Sequence, residues 1–281
     1  MKTFFIKIGI ILLGISFFTS CEERIDIELK DSDRRIVVEG EITSATKAHS
    51  VKLTTSSSYF YNQNAPVVSG ALVSISDDAG NTFLLTETPV GSGIYFTDPT
   101  VFGVSGRTYT LKIENVDIDN NGKFETYTAS EKMRYLYPLD SLSFKVYDPD
   151  ENPPLYEIKG WGFDPPTLGD YYLWKYYKNG VLETDTLDEF AFADDQLVNG
   201  NYLPGITMFV GPANPGDTIM VEARSTSKEY YEFVVSFMIE TRWNQGGFGG
   251  PPANIKTNIS NGGLGWFGAA DISYIKSVIP N

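Results

Sequence analysis

One loop of the sequence carries oxygen-bearing side chains at the spacing of a calcium-binding loop. Residues 117–125 match the first half of such a loop in ligand spacing and in the turn glycine, Gly122. The twelfth position is Thr128 instead of the usual bidentate glutamate. The pattern therefore predicts at most a partial calcium site, and the alternative is a hairpin tip that turns at Asn121-Gly122. The predicted ligands are Asp117, Asp119, Asn121 and Glu125.

Aromatic side chains are dense in residues 171–177 and appear again in a glycine-rich segment near the end of the chain. Exposed ring faces can stack on a sugar or on an apolar ligand. Aromatic residues are also favoured in strands simply because they fit a pleated surface, so core packing is the competing interpretation. The candidates for a ligand platform are Tyr172, Trp174, Tyr176 and Trp266.

The sequence offers little material for catalysis. Its single histidine, His49, lies in a polar stretch where we expect it at the surface, and one histidine cannot build a multi-histidine zinc site. Two acidic pairs, Asp185 with Asp188 and Asp194 with Asp195, could serve glycoside hydrolysis if each were correctly spaced. A solvated acidic loop is the favoured interpretation of these pairs. We therefore expect no enzyme and assign no catalytic residue.

The N-terminus has the organisation of a secretory signal. Lys2 and Lys7 precede an apolar run from Ile8 to Phe18, and small residues lead to the only cysteine, Cys21. The run is too short to span a bilayer, which needs roughly 20 apolar residues. The small pair before Cys21 resembles a lipobox, which predicts a signal peptide over 1–20, lipid on Cys21 and a tether over 21–32. The alternative is a soluble secreted protein with a free thiol.

Composition narrows the classes of partner. The formal net charge is -14, and loss of residues 1–20 with their two lysines makes it -16. A chain this acidic repels nucleic acid, so nucleic-acid binding is excluded. No cysteine remains after Cys21 for a disulfide, so stability must come from burial, for which 261 residues suffice.

Period-2 alternation of apolar residues predicts an all-β chain with one helix. An antiparallel sandwich is expected over 33–135 and a second β-rich domain over 136–281. Asn179-Gly180 predicts a tight hairpin turn. Thr226 and Glu229 form a capping-box pattern, and apolar residues on one face predict a helix over about 226–243.

Several segments together resemble the Bacteroidota envelope lipoproteins called domain of unknown function 4249. They are residues 35–40, 68–71 with 77–81, 106–111, 251–254 and 258–269, in the same order as in that family. The resemblance implies an N-terminal half similar to immunoglobulin-like and transthyretin-like sandwiches. It also implies a place in the outer membrane as a companion of TonB-dependent receptors, and it transfers no catalytic residues. Glu22 and Glu23 after the cysteine resemble a signal for export to the cell surface.

Three functional hypotheses follow. The first is a non-enzymatic surface module that binds a small molecule or glycan, or docks on an outer-membrane transporter, through loops of its β domains. The second is a glycan-acting hydrolase that uses carboxylates between Asp185 and Asp195. The third is a structural or adhesive envelope protein. No cofactor is expected apart from calcium at the loop described first.

Overall fold

A computed structural model describes residues 34–57, 64–119, 121–242 and 255–281. The predicted signal peptide (1–20), Cys21 and the tether (21–32) lie outside these residues. Within them, the chain forms sixteen β-strands and one α-helix, and the all-β fold class is confirmed. No helix in the described residues is long and apolar enough to cross a membrane.

The described residues up to Lys132 contain no helix and form seven strands. They are β1 (Ile36–Thr43), β2 (Ser50–Thr55), β3 (Leu72–Asp77), β4 (Thr82–Glu87), β5 (Ile94–Phe96), β6 (Thr108–Val116) and β7 (Glu125–Lys132).

The remaining strands enclose the helix. They are β8 (Leu139–Asp148), β9 (Leu155–Phe163), β10 (Tyr171–Lys178), β11 (Val181–Leu182), β12 (Ala191–Asp194), β13 (Tyr202–Pro212), β14 (Thr218–Thr226), β15 (Leu264–Ala270) and β16 (Ile272–Val278). The helix α1 (Lys228–Arg242) lies between β14 and β15, and a single 3-10 turn (Leu187–Glu189) lies between β11 and β12.

An eight-stranded sheet holds the first core, in the order β15-β1-β2-β5-β4-β3-β6-β7. Its neighbours are antiparallel except that β15 runs parallel to β1. Alternation along β1 buries Ile36, Val38 and Ile42 completely, as the sequence pattern predicts. Phe267 of β15 is fully buried in the same core, so a segment near the end of the chain completes the sheet that its beginning starts.

Local turn chemistry sets the register of the β3–β4 hairpin. The carboxylate of Asp77 accepts hydrogen bonds from the backbone N–H of Ala79 (3.1 Å) and of Asn81 (2.8 Å). Arg107 of the neighbouring loop donates to the other oxygen of Asp77 at 2.7 Å. This anchored turn pairs Ile75 with Phe83 and keeps Ile75 on the core face.

Two further sheets pack around a second core. β10 lies at the centre of a five-stranded sheet that also contains β11, β12, β14 and β16, while β13, β9 and β8 form a three-stranded sheet. Asn179 (φ 52°) and Gly180 (φ 85°) form the predicted tight turn between β10 and β11. Positive φ at both turn residues is the requirement of a type I′ hairpin, which these residue types tolerate.

A buried ion-pair group links β1 to β14. The Arg224 guanidinium contacts Glu41 of β1, and its Nε lies 3.3 Å from Oε1 of Glu222. Burial alone would raise the pKa of Glu41, but the positive charges of Arg224, Lys175 and Lys47 outweigh it and lower that pKa to about 2. Glu41 is therefore charged at neutral pH, and its contact with Arg224 links the first sheet to the second.

The sequence analysis placed residues 136–281 in a domain of their own. In the structure this range divides, because β15 joins the first sheet while β16, only one residue later, joins the second. The described residues between 34 and 281 form one compact unit. The physical reason is the parallel pairing of β15 with β1, a long-range contact that leaves no local trace in the sequence.

Candidate functional site

The two edge strands of the eight-stranded sheet, β7 and β15, approach each other and leave a cleft between them. They are bridged at one end, where Arg134 pairs with Ala270. At the other end Thr128 and Ser260 join, through Ser260 N–H to Thr128 C=O and Thr128 N–H to Ser260 Oγ, both 2.8 Å. The intervening cleft measures about 410 Å³, a size suited to a small ligand.

Three parts of the chain line this cleft. β6, β7 and the residues just after them form one wall, the start of α1 forms the second, and the segment after residue 255 together with β15 forms the third. The lining residues are Thr108, Ser130, Glu131, Lys132, Arg134, Ser227, Glu229, Glu232, Lys256, Thr257, Asn258 and Trp266.

A buried carboxyl group forms the floor of the cleft. Glu131 is 7% exposed, and its Oε2 accepts the indole Nε1–H of Trp266 at 2.9 Å. Burial raises the pKa of Glu131, and the negative charge of Glu229 raises it further. Hydrogen bonds from Ser227, Trp266 and the Lys132 backbone oppose this increase without cancelling it. A carboxyl with a perturbed pKa in a cleft is a recognised mark of a functional site.

The start of α1 is fixed by Ser227. Its Oγ accepts the backbone N–H of Tyr230 at 3.0 Å, and its carbonyl accepts the N–H of Tyr231. The sequence analysis assigned the cap to Thr226, which is wrong by one residue because Thr226 is still paired with Tyr171 in the sheet. The helix therefore begins one position later than predicted. Ser227, the cap residue, also donates a hydrogen bond to Glu131.

Side chains, not backbone, close the cleft-facing edge of β15. Asn258 donates its Nδ2–H to the carbonyl of Phe267 (2.8 Å) and accepts the N–H of Phe267 (3.0 Å). Thr257 donates its hydroxyl to the carbonyl of Gly265 at 2.8 Å. These bonds imitate the pairing of a neighbouring strand. The carbonyl of Gly265 and both backbone groups of Phe267 are consequently satisfied.

Trp266 is the one member of the predicted aromatic platform that lines the cleft, and it is only 8% exposed. Its ring packs under α1, with centroids 5.7 Å from Tyr230 and 5.2 Å from Phe233. Its indole N–H is committed to Glu131. Trp266 therefore supports the cleft from below more than it offers a face to a ligand.

The other three predicted platform residues require a correction. Tyr172, Trp174 and Tyr176 are all buried in the second core, where Tyr172 stacks on Trp174 at 5.8 Å between centroids. β10 is the central strand of its sheet, so these inward-facing rings are covered. The gap beside Tyr172 and Trp174 is about 10 Å³, space for at most about one water molecule. These rings stabilise the core and offer no ligand platform.

The predicted calcium ligands also do not gather. Asp117 accepts the backbone N–H of Asn121 (3.1 Å) and of Gly122 (3.0 Å), which makes its carboxylate a cap for the loop. Asp119 accepts the Asn121 side-chain amide, and Glu125 accepts the Tyr127 hydroxyl. Across the described residues, no three acidic, histidine or cysteine side chains are arranged to hold a metal. The hairpin-tip interpretation of this loop fits the contacts.

The acidic pairs considered for hydrolysis are engaged in local structure. Asp195 is buried and accepts the backbone N–H of Gly169 (2.8 Å) and of Asp170 (3.2 Å). Asp194 accepts bonds from the backbone and side-chain N–H groups of Gln196, both at 3.2 Å. The side chain of Asp188 lies outside the described residues. These contacts give the hydrolase hypothesis no support.

His49 is in the core, not at the surface as predicted. Its exposed fraction is 1%, and its Nδ1 accepts the backbone N–H of Thr43 at 3.3 Å. Nε2 must then carry the proton and donate to the carbonyl of Val101 at 3.2 Å. The polar neighbours of His49 in the sequence hid these partners, and its role is structural.

Glu131 was missed by the sequence analysis, although a signal exists. Along β7 the inward positions are Tyr127, Ala129 and Glu131, so alternation places a carboxyl on an apolar face. A charged residue in such a position either has partners or has a function. Its partners, Trp266 and Ser227, lie far along the chain and could not be identified from spacing.

Comparison with known proteins places most of the chain in one family. The family model described as Domain of unknown function (DUF4249) matches residues 22–275. A search of curated proteins finds no match.

Proposed function

The chain belongs to the DUF4249 family, and on that premise we propose that it is a lipid-anchored outer-membrane protein that binds a small ligand without transforming it. The observation that carries this proposal is the cleft between β7, β15 and the start of α1. It combines a volume of about 410 Å³, a buried carboxyl with a raised pKa, and charged groups of both signs. Convergent polar groups in a preformed cleft are typical of binding sites.

The anchor is the second part of the proposal. Cys21 after a short apolar leader supports lipidation, and the acidic residues that follow it support exposure at the cell surface. We propose that the protein acts beside a TonB-dependent transporter and passes the bound small molecule to it. Partner and location rest on the sequence, and ligand binding rests on the cleft.

The anchor is tested by mass spectrometry of the mature protein from its native envelope. We expect a diacylglycerol-modified N-terminal cysteine, and we expect Cys21→Ser to abolish both the modification and membrane recovery. Protease treatment of intact cells should then degrade the chain if it faces outward. An unmodified thiol in the mature protein contradicts the anchor.

Ligand binding is tested with a variant that fills the cleft. Ser130 lines the cleft and is exposed on β7, so Ser130→Trp should place a ring inside it. Ser141→Trp, on exposed β8 outside the cleft, is the matched control. Native mass spectrometry of the tagged protein from solubilised envelopes should show a bound small molecule with the control and not with Ser130→Trp. Retention of the molecule by both variants contradicts the assignment to the cleft.

A further inference from the structure

One backbone position on β7 is open to the cleft. In an antiparallel pair of strands, the backbone N–H and C=O groups of successive residues point alternately towards and away from the partner strand. On β7 those of Tyr127, Ala129 and Glu131 point towards β6, and those of Thr128 and Ser130 point away from it. Those of Thr128 are used by Ser260. For Ser130, the described part of the chain supplies no backbone partner. The N–H and C=O of Ser130 therefore face the cleft without a partner among the described residues, between two bridged ends of β7.

The opposite edge offers no such groups at the corresponding place. Asn258 occupies both the N–H and the C=O of Phe267 on β15. A ligand in the cleft would therefore pair with one strand only, as a peptide does when it adds to the edge of a sheet. The bridges at Thr128 and Arg134 restrict this added segment to two or three residues.

Unpaired positive charges lie beside the open position. Lys132 and Arg134 follow Ser130 at intervals of two, so they occupy the same side of the strand. Neither forms an ion pair with any residue that the structure describes. Two cations next to a free backbone N–H form a receptor for a carboxylate, and an arginine adds the possibility of a bidentate bond.

The facing wall carries one carboxylate without a described ion pair, that of Glu229. Glu229 in the first turn of α1 forms no ion pair within the described ranges, and Glu232 lies 3.8 Å from both Lys228 and Lys256. The cleft thus presents cations along β7 and a carboxylate along the helix. A molecule with a carboxylate and an ammonium group fits this arrangement better than a polyanion or a neutral sugar does.

We infer that the cleft binds a short peptide in extended form, whose main chain pairs with Ser130 and whose carboxylate is held by Lys132 and Arg134. Its amino end is attracted by Glu229. This inference rests on the proposed function and names its ligand class. The volume of about 410 Å³ limits the ligand to a di- or tripeptide. A sugar is disfavoured because Trp266, the one tryptophan among the described lining residues, has its N–H bonded to Glu131 and its ring packed against Tyr230 and Phe233 of α1.

Isothermal titration of the full lipid-anchored chain in detergent tests the inference, with tri-alanine as the probe. Tri-alanine with a free carboxylate should bind, and tri-alanine amide should bind about tenfold more weakly or worse, because it loses a charge-assisted contact. The double variant K132Q/R134Q should lose about the same factor for tri-alanine and should no longer distinguish the amide. Lys52→Gln, whose partner is Glu39 on the exposed surface, is the control and should retain the discrimination.

The outcomes separate the inference from the function on which it rests. Equal binding of tri-alanine and its amide, or no binding of either at millimolar concentration, overturns the peptide inference. If the wild-type protein co-purifies with a molecule that is not a peptide and Ser130→Trp lacks it, the cleft remains a binding site for another class of ligand. If wild-type protein carries no molecule and Ser130→Trp changes no titration, the proposed function fails as well.

Discussion

Trp266 donates its indole N–H to Glu131 at 2.9 Å and so joins β15 to β7, 135 positions earlier in the chain. The bond lies at the floor of the cleft, between the two edge strands that the sheet brings together. A carboxyl at this depth is stabilised only through donors of this kind. The shape of the cleft and the protonation of its floor therefore depend on the same contact.

Replacement of Trp266 by phenylalanine keeps an aromatic ring under α1 and removes the donor. Glu131 then loses one of its three partners inside the protein, so we expect Trp266→Phe to lower the free energy of unfolding by about 1–3 kcal/mol. Trp161→Phe is the control, because Trp161 donates to a neutral hydroxyl, that of Ser143, at 2.8 Å. That change should cost about 0.5–1.5 kcal/mol. Urea denaturation measures both, and a larger loss for the control contradicts the account.

The protonation of Glu131 should appear in the pH dependence of stability. Its folded pKa is raised above the ordinary 4.5, so the folded state keeps a proton that the unfolded state releases. Its contribution to stability is complete below pH 4.5 and is lost as the pH rises through the folded pKa. Glu131→Gln removes this titration. The stability of the variant relative to the wild type should therefore increase as the pH rises from 4.5 to 8, and a constant difference contradicts the assignment.

His49 should produce the opposite slope. Burial, with Lys47 nearby, lowers its pKa below the ordinary 6.5, and protonation of Nδ1 would oppose the N–H of Thr43. Below about pH 6.5, His49 is protonated in the unfolded state and stays neutral in the folded state, so the free energy of unfolding declines as the pH falls. His49→Gln should flatten this decline in thermal melts between pH 7 and pH 5. An unchanged slope in the variant would mean that other groups cause it.

Asp170 lies close to two buried carboxylates. Burial raises its pKa, the charges of Asp195 and Asp164 raise it further, and its Oδ2 is buried without a hydrogen-bond partner in the described structure. Asp170→Asn should therefore raise the melting temperature at pH 7.5, and this gain should shrink as the pH falls and vanish below pH 3.8, where Asp170 is protonated in both the folded and the unfolded state.

Asp217 supplies a matched comparison of opposite sign. The Asn179 side chain and the Asn214 backbone donate to its carboxylate and lower its pKa. Asp217→Asn should destabilise the chain at pH 7.5, and the difference should shrink as the pH falls below 3.8. If Asp170→Asn and Asp217→Asn change the stability at pH 7.5 in the same direction, the electrostatic account is contradicted.

Calcium should have little effect on stability. The carboxylates of the 117–125 loop are used by neighbouring N–H and O–H groups and do not converge. A ligand stabilises only the state that it binds, so a melt in millimolar calcium should match a melt in chelator. A rise of several degrees would restore the calcium site that the loop sequence suggests.

Features set by neighbouring residues were predictable. The Asn179-Gly180 turn and the β3–β4 hairpin follow from the backbone conformations that short sequences prefer, and both are present. The helix was predicted for the same reason, with an error of one residue at its cap where sheet pairing intervened. The pairing of β15 with β1 was not predictable, because nothing near either strand specifies a partner so distant in sequence.

The site could be predicted only in part. Trp266 was identified from its residue type, but its function in the cleft depends on Glu131 and α1, which the fold brings to it. His49 and the aromatic residues of β10 were misjudged because burial is a property of the whole sheet arrangement. Composition indicated an acidic protein, while the two unpaired cations of the cleft are a local exception to it.

Hydrogen exchange at the Ser130 amide, resolved by NMR, tests most directly whether the cleft is a binding site. Without ligand, this amide should exchange rapidly while Ala129 and Glu131, paired with Leu111 and Tyr109, are protected. The low-molecular-weight fraction of an envelope extract should then slow exchange at Ser130 and leave the exposed end of β8 unchanged. Rapid exchange at Ser130 with a ligand demonstrably bound to the chain would place the binding site elsewhere.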